Sequence, residues 1–413
     1  MKYIVSEDVV LSRPLDGPLA AHIVEFAKWL HDEGYALGTR RRRVMLASCF
    51  SRWLGQASVD SCRVTSEHVA RYLRSRGRRV KILPCDGANI RQFINFLRSR
   101  GVVPAQEVPP RKPSAVEQAV HEFEFHLLNE RALATTTARN YSPFVREFLT
   151  GRFGGGPVPL SRLCAGDVVG FVQRVAPRLH LKRAKLLTAA LRSFLHYVRY
   201  RGDIQHNLAA AVPTVANWSM SAIPRAIPPD LVRRLLASIN RHTAMGLRDY
   251  AIILLLARLG LRAGEIAGID LEDIDWNAGL LHFRRKGGER AILPLPTDVG
   301  TAIAAYLRHG RPRNSNCRRV FLRSRAPIRG LKDCVAISCI VQHNLKRAGI
   351  KAPTQGAHQF RHGLATDMLR HGASLGEIGE VLGHRSPETT KIYTKVDLDV
   401  LRPLALPWPG GVR

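Results

Sequence analysis

The sequence predicts a mainly α-helical protein with one small antiparallel β-sheet, arranged as two tandem helical modules followed by a third domain of the α+β class. Three observations support this fold class. Apolar residues recur at three- and four-residue spacing along most of the 413 residues, as amphipathic helices require. A weak repeat of about 100 residues fills the first half of the chain. Short β-type runs are confined to residues 273–295.

The repeat is clearest where residues 90–101 (IRQFINFLRSRG) match residues 191–202 (LRSFLHYVRYRG), with five identities in twelve positions. Two upstream pairs of segments match in the same order, residues 26–39 with 123–136 and residues 64–73 with 163–172. Chance similarity between amphipathic helices is the alternative explanation, and the shared order of three segments argues against it. Each unit is therefore predicted to hold about four helices.

Proline-rich segments mark the domain boundaries. EVPPRKPS at residues 107–114 separates the two modules, and a second proline-containing segment at residues 212–229 ends the repeat. We therefore predict three domains, which span residues 1–110, 111–215 and 216–413.

The third domain begins with helices and continues into the sheet. Apolar periodicity predicts helices over PPDLVRRLLASI and GLRDYAIILLLARLG, and Gly260 ends the second of them. The runs DIDW, LLHFRR and ERAILPL are separated by turn residues, which predicts three antiparallel strands.

The end of the chain is predicted to be helical again. HQFRHGLATDMLRHG has helical periodicity, and a capping box formed by Ser374 and Glu377 starts the next helix. A further short helix carries Tyr393, nine residues after His384.

The chain is strongly basic: 63 Lys and Arg face 33 Asp and Glu, giving a net charge of +30 and a pI near 10.9. Such an imbalance repels the compact state unless a polyanion shares the surface, so nucleic acid is the first partner to expect. The basic residues are spread along the whole chain, which favours an extended positive surface over a basic tail. Binding to a membrane surface is the weaker alternative.

The first residues lack the pattern of a signal peptide, and no apolar run reaches the roughly 18 residues that a membrane span needs. We expect a soluble, cytoplasmic protein associated with the nucleoid. The seven cysteines are odd in number and form no CxxC pair, so we expect reduced thiols without a disulfide framework or a zinc site.

Six side chains of the third domain have the pattern needed for chemistry on a phosphate. Two arginines could each donate paired hydrogen bonds to its oxygens, and a lysine at a hairpin tip could protonate a leaving oxygen. A tyrosine hydroxyl could attack phosphorus, with the arginines taking the charge-stabilising role of a metal cation. The set comprises Arg262, Lys286, His358, Arg361, His384 and Tyr393.

Each of these residues also has an ordinary explanation. Arg262 taken singly is a surface arginine or a partner of Glu265, and Lys286 is a solvated turn residue. The histidines could be polar residues at helix ends, and Tyr393 a half-buried aromatic. Their order along the chain and their positions on predicted elements favour the catalytic interpretation.

LGLRAGEIAGIDLEDIDW, HQFRHGLATDMLRHG and LGHRSPETTKIYTKV resemble the three signature boxes of the tyrosine recombinase (phage integrase) family. The resemblance runs continuously over residues 227–400, and the ordered set of Arg, Lys, HxxR, His and Tyr is highly specific. It implies a catalytic third domain and a second module similar to the SAM-like helical core-binding domain that clamps DNA. The repeat then makes the first module either a second copy or an arm-type domain.

The resemblance implies a role for each member of the set. Tyr393 would be the nucleophile that forms a 3′-phosphotyrosine and frees a 5′-hydroxyl. Arg262 and Arg361 would hold the scissile phosphate, and Lys286 would protonate the leaving 5′-oxygen. The hairpin reads RRKGG where the family commonly has GKG, which makes Arg285 the alternative to Lys286.

His358 would act as general base or as a hydrogen-bond donor to the phosphate, and His384 would orient the phosphate. Because the covalent bond keeps the energy of the phosphodiester, the reaction would need neither ATP, metal nor another cofactor. Gly363 stands where the family usually has Thr or Ser, and Phe360 replaces a common leucine. Neither position belongs to the reacting groups.

The implied partners are double-stranded DNA at specific recombination sites and further copies of this chain. Pairs of protomers would act on each of two sites as a tetramer, with the tail after Val400 docking on a neighbour and accessory recombinases or DNA-bending proteins assisting. Four basic clusters would contact phosphates, at residues 39–44, 74–81, 181–185 and 311–319.

Integration or transposition of a mobile element is the leading functional hypothesis. A type IB topoisomerase shares the phosphotyrosine chemistry but would relax supercoiled DNA as a monomer without site preference. A DNA-binding regulatory protein with an inactive recombinase domain is the third alternative, and the full set of six residues argues against it.

Overall fold

The computed structural model describes residues 3–6, 9–105, 113–215, 224–285, 287–313, 315–384 and 386–396. The chain divides into two compact units, one formed by residues 1–106 together with 223–413 and the other by residues 107–222. The predicted boundaries at 110/111 and 215/216 fall within or beside ranges outside the described residues, so they stay a prediction.

The first module packs four helices against a short antiparallel hairpin. Its elements are β1 (Tyr3–Ser6), β2 (Val9–Leu11), α1 (Ile23–Asp32), α2 (Leu37–Gln56), α3 (Ser66–Gly77) and α4 (Asp86–Ser99). Aromatic side chains join the helices: the ring centroids of Phe26 and Phe93 lie 4.8 Å apart, and Phe50 is fully buried beside them. The sequence pattern does not predict the hairpin, because strands of four and three residues give too little alternation.

The second module repeats the four helices in the same order. Its elements are α5 (Ala115–Phe125), α6 (Thr135–Phe153), α7 (Ala165–Val175) and α8 (Leu181–Tyr200). Capping boxes start the equivalent helices α3 and α7, at Thr65 and at Cys164. Each module has an apolar core of its own. The prediction of two tandem helical modules is therefore confirmed.

The region from residue 224 combines helices with a three-stranded antiparallel sheet in the order β3-β4-β5. Its elements are α9 (Pro229–Ser238), α10 (Ala244–Leu259), α11 (Ala263–Ala267), β3 (Ile274–Asp275), β4 (Leu280–Arg284), β5 (Arg290–Pro294), α12 (Thr297–His309), α13 (Cys334–Arg347), α14 (His358–Arg370), α15 (Leu375–Leu382) and α16 (Pro387–Thr390). A 3₁₀ helix, Lys391–Val396, follows α16. The predicted fold class, mainly α with a small sheet, is confirmed.

Helix α10 forms the centre of this region. Six consecutive residues, 251–256, are buried, and the carboxylate of Asp249 accepts buried hydrogen bonds from Arg248 and from Asn344 of α13. Gly260 ends α10 in the left-handed conformation at φ 58°. A side chain there would come within 2.8–2.9 Å of Leu364 and Leu382, so glycine allows the chain to turn closely against α14 and α15.

The first module contacts this C-terminal region directly within their shared unit. The backbone N–H of Ile328 donates to the carbonyl of Glu33 over 3.0 Å, and the guanidinium of Arg329 lies 3.2 Å from the Glu33 carboxylate. Gly34 has φ 79°, and a Cβ there would lie 2.4 Å from the Ile328 side chain. The loop around Ile328 therefore fits closely on the turn after α1.

All seven cysteines are free. Among the described residues, every helix is too short or too polar to cross a membrane.

Candidate active site

Arg262 lies directly before α11, at its N-cap position. Its backbone N–H and its Nη1 both donate to the buried carboxylate of Glu265, over 2.7 and 2.9 Å. Its Nη2 lies 3.3 Å from the carbonyl oxygen of Gly383. The pairing with Glu265 expected for an ordinary arginine is thus present, and it aims the rest of the guanidinium at the end of α15.

Arg361 lies in the first turn of α14 and is only 4% exposed. Its Nη1 donates to the carbonyl of Gly260 over 2.8 Å, and its Nη2 donates to the carbonyl of Leu382. Arg262 and Arg361 therefore reach the carbonyls of two consecutive residues, Leu382 and Gly383. The structure brings these two predicted phosphate ligands together at one turn of the chain.

His384 follows that turn. Its Nδ1 lies 2.7 Å from the Oγ1 of Thr390, a residue of α16 that is 2% exposed. Its ring is parallel to that of Tyr393, with an interplanar angle of 6° and centroids 6.4 Å apart. His384 thus directly follows the turn that the arginine pair binds, and its ring stacks with that of the predicted nucleophile.

Tyr393 lies in the 3₁₀ helix after α16 and is 1% exposed. Its ring packs with Ala365, Ile378 and Leu382 in a small apolar cluster. Its hydroxyl lies 3.0 Å from the Nδ1 of His362. The tyrosine side chain is therefore held in place and covered.

His362 is a member of the site to which sequence reasoning assigned no role. It belongs to the HQFRH segment, one helical turn after His358, and the two imidazole rings meet edge to face with centroids 4.9 Å apart. His358 is the first residue of α14 and is exposed. The spacing of four residues between the histidines was the available signal, because it places both on one face of a helix.

Lys286 lies outside the described residues. The neighbouring Arg285 is half-buried, and its Nη2 lies 3.4 Å from the carbonyl of Glu380 in α15. A Cβ on Gly383 would lie 2.4 Å from the Arg285 guanidinium carbon. The tip of the β4-β5 hairpin thus brings a third guanidinium beside the arginine pair.

Burial and crowded positive charge shift the pKa values of the site. Burial, then the charge of Arg262, lowers the pKa of Arg361 to about 10. Burial, then the arginines, lowers the pKa of His384 to about 4. The pKa of His362 is also lowered to about 4, by burial and then by neighbouring positive groups. Burial raises the pKa of Tyr393, although both arginines oppose the shift. These shifts indicate a site that an anion would stabilise.

The basic clusters divide into two kinds. In the cluster at residues 39–44, Arg42 pairs with the buried Asp86 over 2.6 Å, and Arg43 stacks on the ring of Tyr35 at 4.0 Å. In the cluster at 311–319, Arg319 pairs with Asp270 over 3.1 Å. These arginines are committed to the fold, which weakens the expectation that they all contact DNA.

The cluster at residues 74–81 is different. It lies at the C-terminal end of α3, and its exposed cationic side chains have no hydrogen-bond or ion-pair partner among the described residues. Its members are Arg74, Arg78, Arg79 and Lys81. In the second module, Lys182 and Arg183 of the cluster at 181–185 are likewise exposed on α8.

Comparison with known proteins agrees with this site. A family model described as the phage integrase family matches residues 225–399. The chain is 56% identical over 410 residues to y4rA of Sinorhizobium fredii, named as an integrase/recombinase, with 99% of each chain covered. It is 30% identical to the tyrosine recombinase XerD of Listeria monocytogenes, over 67% of this chain and 93% of that one.

Among solved structures, the XerH site-specific recombinase in a post-cleavage complex with difH DNA matches with a TM-score of 0.56 at 18% identity. This match covers 83% of this chain and 96% of XerH and concerns the fold. The chain belongs to the phage integrase family, the tyrosine recombinases. Site-specific recombination is therefore the class of reaction that its family membership supports.

Proposed function

We propose that this chain is a site-specific DNA recombinase that cuts and rejoins strands through a covalent 3′-phosphotyrosine on Tyr393, without metal or ATP. The observation that carries the proposal is the convergence of Arg262 and Arg361 on the Leu382–Gly383 turn, beside His384 and Tyr393.

The arginine pair is suited to stabilising the transition state of a reacting phosphodiester. Glu265 and the backbone carbonyls hold the two guanidinium groups in place before DNA arrives. Such preorganised donors stabilise the charge that develops on the non-bridging oxygens as a fifth bond forms at phosphorus. Loss of one of them should cost roughly 3 kcal/mol, or about a hundredfold in rate.

Three further residues complete the proposed chemistry. His384 donates from Nε2 to the phosphate, since its Nδ1 is occupied by Thr390. Lys286 protonates the leaving 5′-oxygen. His358, exposed at the start of α14, donates to the phosphate or acts as general base. The six proposed catalytic residues include no carboxylate that would hold a metal ion. Their cationic side chains supply the electrostatic stabilisation instead.

The covered position of Tyr393 implies a resting state. Tyr393 is 1% exposed, so a phosphate reaches its hydroxyl only after the side chains that cover it have moved. Cleavage is thereby linked to correct docking of the substrate, as with other induced conformational steps.

Each module supplies exposed basic residues to the proposed DNA interface. The exposed cluster at the end of α3 and the exposed cations of α8 would contact phosphates. Such contacts position a duplex without reading its sequence.

We further propose a tetramer on two recombination sites, with help from accessory recombinases or DNA-bending proteins. The docking tail after Val400 lies outside the described residues. We also propose that this chain acts on the DNA of a mobile element, by integration or transposition; the name integrase/recombinase of the similar y4rA supports integration.

The test is covalent trapping. Duplexes that bind the Tyr393→Phe protein would be selected from a random library, prepared with a nick at each successive position, and incubated with parent protein in EDTA. We expect a denaturation-resistant protein–DNA adduct with the parent protein and none with Tyr393→Phe.

Two results would contradict the proposal. Tight binding without an adduct at any nick position would favour a non-catalytic DNA-binding protein. Relaxation of supercoiled plasmids of unrelated sequence by the monomer, abolished by Tyr393→Phe, would favour a topoisomerase.

Truncation after Val400 tests the proposed docking tail. It should spare binding of one duplex and impair pairing of two, and unaffected pairing would remove the proposed role of the tail.

A further inference from the structure

The hydrogen bond to the tyrosine hydroxyl comes from an unexpected histidine. The Nδ1 of His362 lies 3.0 Å from the Oη of Tyr393, and the two rings are inclined by 60° with centroids 5.8 Å apart. The resemblance to recombinases implied that His358, four residues earlier, is the general base or a hydrogen-bond donor to the phosphate. The contact therefore assigns a different imidazole to the reacting oxygen.

The position of His362 is fixed by its neighbours. It follows Arg361, which is anchored to the carbonyls of Gly260 and Leu382, so α14 cannot rotate without breaking both bonds. The ring of His358 packs edge to face against it at 4.9 Å. His362 is half-buried, and the Tyr393 ring packs in a cluster with apolar residues of α14 and α15. The contact thus joins two constrained side chains.

We propose that His362 is the catalytic base of the strand-cleavage step, taking the Tyr393 hydroxyl proton on Nδ1. As the Oη–P bond forms, the O–H bond breaks and its proton moves to His362, while the P–O5′ bond breaks and the leaving oxygen is protonated from Lys286. In rejoining, the 5′-hydroxyl gives its proton back to Lys286, and His362 returns its proton to the tyrosine oxygen. This inference rests on the proposed recombinase function.

The protonation state of the free site is compatible with this role. Burial, then His358 and Arg361, lowers the pKa of His362 to about 4, so the ring is neutral near pH 7 and has a free lone pair for the hydroxyl. The ionisable groups around it are His358, Arg361, Tyr393 and, across the tyrosine ring, His384. A bound phosphate would place a negative charge among these groups and make the imidazole a stronger base as the proton leaves tyrosine.

A positioning role is the alternative, and two substitutions separate it from proton transfer. His362→Asn offers an amide oxygen near the place of Nδ1, which can accept the hydroxyl hydrogen bond but cannot take the proton. His362→Ala removes both functions. If His362 is the base, both variants should cleave at least about a hundredfold more slowly than the parent protein, since general bases contribute roughly 10²–10⁴-fold.

The measurement is single-turnover adduct formation on the selected nicked duplex, with a 5′-bridging sulfur in place of the leaving oxygen. A thiolate leaves without a proton, so Lys286→Ala should recover near-parental rates on this substrate, whereas both His362 variants should remain slow. Between pH 5 and 8 the rate of His362→Asn should rise about tenfold per pH unit as hydroxide replaces the base, and the parent rate should depend less steeply on pH. Melting curves and binding of the same duplex report whether each variant is folded.

A rate for His362→Asn within threefold of the parent, with an unchanged pH profile, would overturn the proposal and leave a positioning role. The same holds if His358→Asn alone shows the slow, pH-dependent reaction. Nitrogen-15 NMR of histidine-labelled, DNA-free protein tests the contact independently: the His362 signal should show a proton on Nε2 and should shift in Tyr393→Phe. If that contact is seen but parent protein forms no adduct, the recombinase function itself fails; if adducts form without the contact, only the role of His362 fails.

Discussion

The Nδ1 atom of His384 lies 2.7 Å from the Oγ1 atom of Thr390, and this contact joins the end of α15 to the helix that precedes the nucleophile. Thr390 is 2% exposed, and a Cβ on Gly379 would lie 3.2 Å from its hydroxyl. With Nδ1 occupied, Nε2 is the nitrogen available to a phosphate.

Replacing Thr390 by valine keeps the shape of the side chain and removes the hydroxyl. We expect Thr390→Val to slow adduct formation about tenfold, because the imidazole loses its orientation and tautomer preference. Thr390→Ser should restore the rate. Single-turnover cleavage and melting temperature should be measured together, and equal rates for Val and Ser would show that the contact has no part in catalysis.

Arg361→Lys should damage both the fold and the chemistry. A lysine cannot reach the carbonyls of Gly260 and Leu382 together, and each lost charged hydrogen bond costs about 1.5–3 kcal/mol. We expect a lower melting temperature and at least about a hundredfold slower cleavage. Arg262→Lys is the matched control: its side chain is 28% exposed, so its melting temperature should change less while cleavage falls comparably. Parental cleavage in either variant would argue against phosphate binding by that arginine.

Removing the free cations at the end of α3 should weaken DNA binding without unfolding the module. For Arg74→Gln, Arg78→Gln and Arg79→Gln combined, we expect a weaker affinity for all duplexes and a slope of log K against log salt that is smaller by up to about three. The readout is fluorescence anisotropy from low to high salt. An unchanged slope would exclude these residues from the interface.

Arg42→Gln is the control for that experiment. Asp86 is fully buried; burial raises its carboxyl pKa, but hydrogen bonds from Arg42 and from the Leu83 backbone outweigh it, so the pKa is lowered. Loss of Arg42 leaves this carboxylate without its ion pair, which should destabilise the module by about 3 kcal/mol. Affinity per folded molecule should change less than in the triple variant.

Stability should decrease as the pH falls below neutral. The pKa values of His362 and His384 are about 4 in the folded chain, against an ordinary value of 6.5. Both histidines are neutral above pH 6.5, whereas between pH 6.5 and 4 the unfolded chain binds protons that the folded chain does not. We expect the free energy of unfolding to fall by about 1–2 kcal/mol per histidine over that range, allowing for partial solvation.

Urea denaturation at pH 7.5 and 4.5 checks this expectation. Other carboxylates and histidines also titrate in the interval, so the comparison should be made with a protein carrying both His362→Gln and His384→Gln. The double variant should lose less stability than the parent protein on acidification. An equal loss would mean that the two rings bind protons as readily in the folded state.

The sequence was sufficient to predict the helical modules, the three-stranded sheet and the glycine that ends α10, because each follows from local periodicity or turn chemistry. The convergence of Arg262 and Arg361 at Gly383 could be expected only from their order in the family. The hydrogen bonds of Arg361 to Gly260 and Leu382 join residues separated by 101 and 21 positions, and no spacing rule supplies them.

The basic clusters show a second limit of prediction from sequence. The pattern TRRRRV predicts a solvated positive face, yet Arg42 pairs with Asp86, which lies 44 positions later and is buried at the start of α4. Charge along a sequence does not report which cations are already paired. His362 shows a third limit. The HxxR motif identifies His358 and Arg361 at i and i+3, but helix geometry places His362 at i+4 equally close to His358, and the motif gives it no role.

The contact of Glu33 and Gly34 with Ile328 changes what a domain dissection of this chain would measure. Residues 1–106 and 223–413 form one compact unit, and residues 107–222 form another. Removing residues 1–106 would divide the first of these units. Ile328 and Arg329 would lose their partner Glu33, and the cations of α3 would be lost as well. Loss of recombination in such a fragment would then have two causes, a destabilised C-terminal region and the loss of DNA contacts.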